Sequence, residues 1–264
     1  MTTFLKSAFV SEFISCIIIV VMDHLLSELL AKNDEIVESR QLFDSYQTSE
    51  NDFDKCFFNL FFLDYKFVFG DEPKNKFLFK LLKEYYHNDF FIRYSFINKV
   101  LGKSKAISFE EFSICNSRVD LASINGKSVA YEIKSEYDNY ERLQKQIDDY
   151  SKCFEYVYVV CPKKRTKSIQ RFLPDYCGIY SYNEKTNISF KIYKKASLSP
   201  LLSSSSMLSS LRKKDLLATF ETDNIDDIVE KYSAEKINLI FKKLLKERFS
   251  NKWNLLKETA KSLD

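Results

Sequence analysis

Residues 117–135 read Ser-Arg-Val-Asp-Leu-Ala-Ser-Ile-Asn-Gly-Lys-Ser-Val-Ala-Tyr-Glu-Ile-Lys-Ser, and this stretch decides the fold. Two runs rich in β-branched and aromatic residues flank Asn125-Gly126, the pattern of a strand, a turn and a second strand. Successive side chains of a strand point to opposite faces, so Glu132 and Lys134 share one face while Tyr131 and Ile133 take the other. A carboxylate and an amine on a core strand are costly unless paired or used.

The turn decides whether Asp120 joins them. A two-residue loop at Asn125-Gly126 pairs Ile124 with Lys127 and sets Asp120 opposite Tyr131, on the wrong face. A three-residue loop with Gly126 in the left-handed region pairs Ser123 with Lys127. Asp120 then lies opposite Ala130, diagonal to Glu132 and on its face.

Similar strand signals occur at 107–115, 156–161, 178–182 and 188–193, and a helix is expected over about 138–153. Asp138-Asn139-Tyr140-Glu141 reads as its capping box. Upstream, residues 2–31, 75–87 and 91–101 carry helical periodicity, with Gly102 as a C-cap. The acidic stretch 34–54 reads as a loop or a short exposed helix, and 55–69 is dense in Phe and Leu. The order of helix, three strands, helix, strand, strand predicts an α/β (α+β) layered core. Eight serines among residues 197–210 read as a linker or loose loop, followed by helices near 211–220, 225–231 and 234–261. The expected divisions are a helical region over 1–90, a core over 91–196 and a basic helical region over 197–264. From 231 to 264 the chain carries nine Lys+Arg against four Asp+Glu, which concentrates its basic charge there.

Composition narrows the chemistry. Among 264 residues there are only 4 Gly, 4 Pro and 2 His. Average usage would give roughly 18 Gly and 13 Pro. No Gly-rich phosphate cradle can be written from Gly70, Gly102, Gly126 and Gly178, and each is expected to mark a backbone position of positive φ. The six Cys form no C-x-x-C, so reduced, mostly buried thiols are expected. Histidine-based nucleophilic catalysis has little to work with. The apolar run 16–22 is too short for a membrane span, which needs roughly 20 residues, and a cytoplasmic protein is expected. Hydrolysis would rest on carboxylates, lysine and an oxygen-ligated metal such as Mg²⁺ or Mn²⁺.

Asp120, Glu132 and Lys134 supply that set. Two carboxylates chelate Mg²⁺, and the lysine orients water or stabilises charge on a phosphorane. A second E-x-K, Glu72-Pro73-Lys74, lies in a Pro-containing turn and lacks the strand context.

With these residues in place, the chain resembles the PD-(D/E)XK superfamily of metal-dependent nucleases, whose restriction-endonuclease-like core is αβββαβ. The likeness covers about 110–182. It extends to Gln146-Ile147-Asp148-Asp149-Tyr150, which looks like the Q-x-x-x-Y element of the RecB-like branch. Arg118, Asp138, Arg142-Leu143 and Gln146 are shared with little-characterised bacterial nuclease-like proteins. No Pro precedes Asp120, as is often so in the superfamily.

The resemblance implies Asp120 and Glu132 as metal ligands, Lys134 as the catalytic lysine, and Gln146 and Tyr150 as supporting residues. A further acid usually comes from upstream, where Glu84, Glu110 and Glu111 are candidates and Glu111 is favoured. Arg118, Arg142 and the run Lys163-Lys164-Arg165 are candidate nucleic-acid contacts. The alternative for Arg118 is an ion pair with Asp138 or Glu136. The expected activity is Mg²⁺-dependent endonucleolytic cleavage of DNA. The alternatives are a nuclease-fold protein that binds nucleic acid or a partner without cutting, and an RNA-processing nuclease. Pairing into a homodimer would cut both strands, but no interface is legible.

Overall fold

β-Branched and aromatic residues favour the pleated, half-buried surface of a sheet, and six strands form where they gather. These are β1 (Ile107–Ile114), β2 (Ser117–Asn125), β3 (Lys127–Ile133), β4 (Tyr156–Pro162), β5 (Gly178–Tyr182) and β6 (Phe190–Lys194). They make one mixed sheet in the order β1-β2-β3-β4-β5-β6. The pairs β1–β2, β2–β3 and β5–β6 are antiparallel, whereas β3–β4 and β4–β5 are parallel. The computed structural model describes residues 35–61, 66, 73–183 and 188–263. The helix expected over 2–31 lies outside them, as does the apolar run 16–22.

The chain divides into two compact units, Met1–Tyr86 and His87–Asp264. In the first lie α1 (Glu35–Thr48), α2 (Glu50–Phe61) and α3 (Lys74–Tyr85). The stretch expected to be a loop or short exposed helix is therefore a pair of helices. Its few apolar residues are spaced to converge: Leu42, Phe53 and Phe57 are buried with Phe77 and Leu81 of α3. Lys74, from the second E-x-K, starts α3 and pairs with Asp54 at 2.8 Å.

In the second unit, α4 (Asp89–Lys99) covers one face of the sheet. Its Phe96 ring lies 5.1 Å from Tyr131, 5.2 Å from Tyr180 and 5.1 Å from Phe190. Asn88 caps α4 by accepting from the Phe91 N–H. The helix ends at Lys99 with Val100 as its C-cap, so Gly102 sits in a following 3₁₀ turn and is not the cap.

The opposite face is covered by α5 (Leu143–Ser151) and, further along the chain, by the long helix near the C-terminus. The helix α5 begins later than 138. Asp138 accepts instead from the Ser135 N–H and hydroxyl, each at 2.6 Å, and the N-cap Arg142 makes no side-chain cap. Leu143, Ile147 and Tyr150 recur at helical spacing and are buried against Val119, Ala122, Ala130, Val157 and Val159.

After α5 come α6 (Thr166–Gln170), α7 (Ser204–Ser209), α8 (Lys213–Phe220), α9 (Ile225–Lys231) and α10 (Ala234–Leu263). The serine-rich stretch is not a loose linker. The buried Ser199 hydroxyl donates to Ser151 O at 2.6 Å, Ser203 caps α7, and Met207 and Leu208 are buried in the core. Short polar side chains here satisfy backbone groups of a packed segment. Phe249 of α10 stacks on Phe109 of β1 at 4.2 Å. The region 197–264 thus belongs to the same compact unit as the sheet.

Among the described glycines only Gly126 has positive φ, at 72°. Gly178 is required for another reason. A Cβ there would sit 2.3 Å from the Tyr158 ring and 2.7 Å from Ala196 N.

Candidate functional site

The β2–β3 hairpin follows neither expected register. Asn125 pairs with Lys127 around Gly126, Ile124 with Ser128, and Leu121 with Tyr131. The pairing ends there; extended by one residue it sets Asp120 level with Glu132, where the Asp120 carboxylate takes the Ile133 N–H. The parity is that of the three-residue loop, so both acids lie on the α5-covered face, opposite each other and not diagonal.

Glu132 is 1% exposed. Its Oε1 accepts from Lys134 Nζ at 2.8 Å, and its Oε2 lies 2.6 Å from the Tyr150 hydroxyl. That hydroxyl also reaches Arg118 O at 2.7 Å, so one phenolic proton serves two acceptors. A proton on Glu132 would supply the second hydrogen bond. Lys134 Nζ also donates to Gln146 Oε1 at 3.3 Å. Asp120 Oδ2 accepts from the Ile133 N–H at 2.7 Å. The structure therefore brings Asp120, Glu132, Lys134, Gln146 and Tyr150 together from β2, β3 and α5.

The electrostatics of this group are unbalanced. Burial first, and then the Glu132 charge, push the Asp120 carboxyl up to about 8, although Ile133 N–H, Arg93 and Lys134 oppose the shift. Burial raises Glu132 as well, against the pull of Lys134 and Tyr150. Burial would lower Lys134, but Glu132 outweighs it and the ammonium is held above its ordinary value. Two neighbouring buried acids with one lysine leave an excess of negative charge whenever both ionise.

This donor chemistry fits a divalent cation. Among the described residues no cluster of three or more His, Cys, Asp or Glu gathers as a metal-binding group. Mg²⁺ commonly takes only one or two protein carboxylates and fills its other positions with water and phosphate oxygen. Asp120 and Glu132 meet that requirement without a third protein ligand.

The favoured third acid, Glu111, is differently engaged. It stands in β1 with φ 55°, between the pairs Glu110–Leu121 and Phe112–Val119, and so falls level with Asp120. A non-Gly residue in this left-handed region is strained, and such strain concentrates at functional sites. Its carboxylate meets Arg93 Nη1 and Arg118 Nε, each at 2.5 Å. Arg118 accordingly pairs with Glu111, and not with Asp138 or Glu136. Arg93 is the residue that sequence reasoning missed. It also lies near Asp120 electrostatically, and its Nε is buried without a hydrogen-bond partner. The available signal was an arginine inside the apolar run Phe90-Phe91-Ile92-Arg93-Tyr94.

A pocket of about 430 Å³ opens beside Asp120, lined by Asn116, Ser117, Arg118, Arg142, Lys145 and Gln146. Arg118 and Arg142 thus reach the same cavity. The run 163–165 lies in a 3₁₀ turn after β4. Lys164 pairs with Glu136, and Arg165 donates to Asp138 O at 2.8 Å and Tyr140 Oη at 3.0 Å. Arg165 therefore braces the 138–142 segment, while Lys163 is exposed. No helix among the described residues is long and apolar enough to cross a membrane.

Comparisons with known proteins place this geometry in context. The profile of the family described as bacteriophage P4 protein cII matches residues 75–262, which include every candidate site residue above. Protein cII of Enterobacteria phage P4 is 30% identical over 160 residues, covering 55% of this chain and 61% of that protein. The chain thus spans less than two thirds of this relative's length. A protein of unknown function from Silicibacter pomeroyi aligns with 48% of this chain and 89% of its own. Its TM-score of 0.33 and 14% identity are too low to assign a fold.

Proposed function

The chain belongs to the bacteriophage P4 protein cII family, and we propose that it hydrolyses phosphodiester bonds in DNA with a divalent cation, as an endonuclease. The observation that carries this reading is the neighbouring pair of half-buried Asp120 and buried Glu132, with Lys134 bonded to Glu132 at 2.8 Å. The element order α4-β1-β2-β3-α5-β4 agrees with the PD-(D/E)XK plan, with the lone acid on the second strand and E-x-K on the third.

A cation held by Asp120 and Glu132 would polarise the scissile phosphate and lower the pKa of a bound water. Lys134, steadied by Glu132 and Gln146, supplies positive charge where negative charge develops on the phosphorane oxygens. Tyr150 fixes the Glu132 carboxyl from below. Arg118 and Arg142, at the adjoining pocket, hold backbone phosphates of the incoming strand.

The test is incubation with Mg²⁺ or Mn²⁺ and supercoiled plasmid, single-stranded DNA or RNA. The expected result is nicked plasmid, lost in Glu132→Ala and Lys134→Ala. Cleavage that persists in both variants overturns the site. Preferential cleavage of RNA moves the substrate to RNA. Salt-sensitive binding without any cleavage makes the protein a non-cutting binder.

A further inference from the structure

Arg93 is a charged side chain set inside the apolar run of α4. It follows the buried Phe91 and Ile92, and its own side chain is only 13% exposed. Its Nη2 lies 3.3 Å from Asp89, one turn earlier. Its Nη1 meets Glu111 at 2.5 Å and Glu110 at 3.8 Å, both on β1. Its Nε is buried without a hydrogen-bond partner. The guanidinium is thus aimed at β1 even though one of its donors stays unpaired, which burial penalises.

Those contacts are unusual for a strand. Successive side chains point to opposite faces, yet Glu110 and Glu111 reach the same nitrogen. The left-handed backbone of Glu111, at φ 55°, marks where β1 breaks that alternation. Phe109 and Phe112, three residues apart across it, are likewise buried in one core. A glutamate in this region persists only where its surroundings over-determine it. Arg93 on one carboxylate oxygen and Arg118 on the other supply the constraint. The two are not equivalent. The Arg118 side chain is 67% exposed and lines the pocket beside Asp120, whereas Arg93 is enclosed. Arg93 is the fixed anchor of Glu111.

The anchored carboxylate is half-exposed and level with Asp120. Each of its oxygens spends one lone pair on a guanidinium and keeps another. A hard cation such as Mg²⁺ retains several waters, and the groups that accept from those waters tune its affinity.

We propose that Arg93 is a positioning residue of the cation site: it holds Glu111 beside Asp120 as an acceptor for water on the cation, and itself touches neither cation nor substrate. The proposal rests on the reading of Asp120 and Glu132 as cation ligands. It adds an outer carboxylate and the residue that aims it.

The experiment titrates Mn²⁺ calorimetrically into the metal-free full chain, with melting temperatures measured alongside. Wild type is compared with Arg93→Lys, Glu111→Gln and the double variant. Lysine keeps the positive charge but not the planar fork. Each single variant should bind Mn²⁺ about tenfold more weakly. The double variant should bind no more weakly than Glu111→Gln, because both changes remove one arrangement. A role confined to packing would lower the melting temperature of Arg93→Lys and leave its Mn²⁺ affinity unchanged. A role as counter-charge alone would also leave that affinity unchanged. Either result overturns the proposal, as do losses that add in the double variant. Glu111→Gln alters a half-exposed side chain, so unchanged affinity there overturns the proposal even where Arg93→Lys does not fold. No Mn²⁺ binding by wild type refutes the cation site and the proposal together. Binding by wild type with both single variants unchanged refutes the proposal alone.

Discussion

The two ends of the β2–β3 hairpin share a carboxylate, a lysine and an amide, and differ in burial and in an added acid. At the turn end, Glu155 meets Lys242 at 2.9 Å and the amide of Asn238 at 2.9 Å. At the other end, Glu132 meets Lys134 at 2.8 Å, and Gln146 takes a hydrogen bond from that lysine at 3.3 Å. Burial would push Glu155 up, but Lys242, the Ser128 N–H and Asn238 outweigh it and hold the carboxyl below its ordinary value. Glu132 is instead raised, and its neighbour Asp120 is raised to about 8. Burial separates the two ends first, since Glu132 is buried and Glu155 only half-buried; the second acid, Asp120, is the added part. A carboxylate, a lysine and an amide make a satisfied structural clasp; a second buried carboxylate turns the same set into a group short of one positive charge.

Five substitutions would break or sharpen this contrast. The largest effect is expected from Lys134→Ala, which should reduce plasmid nicking by about a thousandfold or more, read as initial rate under Mg²⁺. Next, Glu155→Ala should lower stability by about 3 kcal/mol in urea denaturation, because it leaves the largely buried Lys242 without its partner.

Asp120→Asn should act in the opposite direction on the metal-free protein. The folded carboxyl titrates near 8, against about 3.9 when unfolded. Between these values the folded chain holds more protons, so its stability falls as pH rises through that window. The variant lacks this loss. Its melting temperature should exceed that of wild type by roughly 5 °C at pH 8, and the gap should close toward pH 4. A gap independent of pH would contradict the assignment. The smallest effects are expected from the two amides. Gln146→Ala should slow cleavage about tenfold, whereas Asn238→Ala should cost about 1 kcal/mol of stability.

Sequence patterns revealed much of this end of the hairpin. Alternation along 127–134 puts Glu132 and Lys134 on one face, and the spacing of Gln146 and Tyr150 puts both on one stripe of α5. The register was not legible, because it depends on the backbone at one glycine. Gly126 leads a turn in which Asn125 faces Lys127, two residues away from the expected pairing of Ser123 with Lys127. The turn-end clasp was invisible for a different reason. Glu155, Asn238 and Lys242 are more than 80 residues apart at their widest and meet only when α10 docks. Tertiary contacts also ordered Ser199 and Ser203, which composition alone reads as a flexible linker. Glu111 was legible on the strand adjoining Asp120, but its pairing with the guanidiniums of Arg93 and Arg118 was not, because α4 and β2 bring them together only in the fold.

The central claim is that Asp120 and Glu132 form a cation site. Calorimetric titration of Mn²⁺ into the metal-free protein at pH 7, in two buffers of different ionisation enthalpy, tests it directly. Wild type should bind one ion and release close to one proton, since Asp120 titrates near 8 and metal binding requires the carboxylate. Asp120→Asn should bind far more weakly. Equal binding by both proteins, or binding by wild type without proton release, would contradict the account.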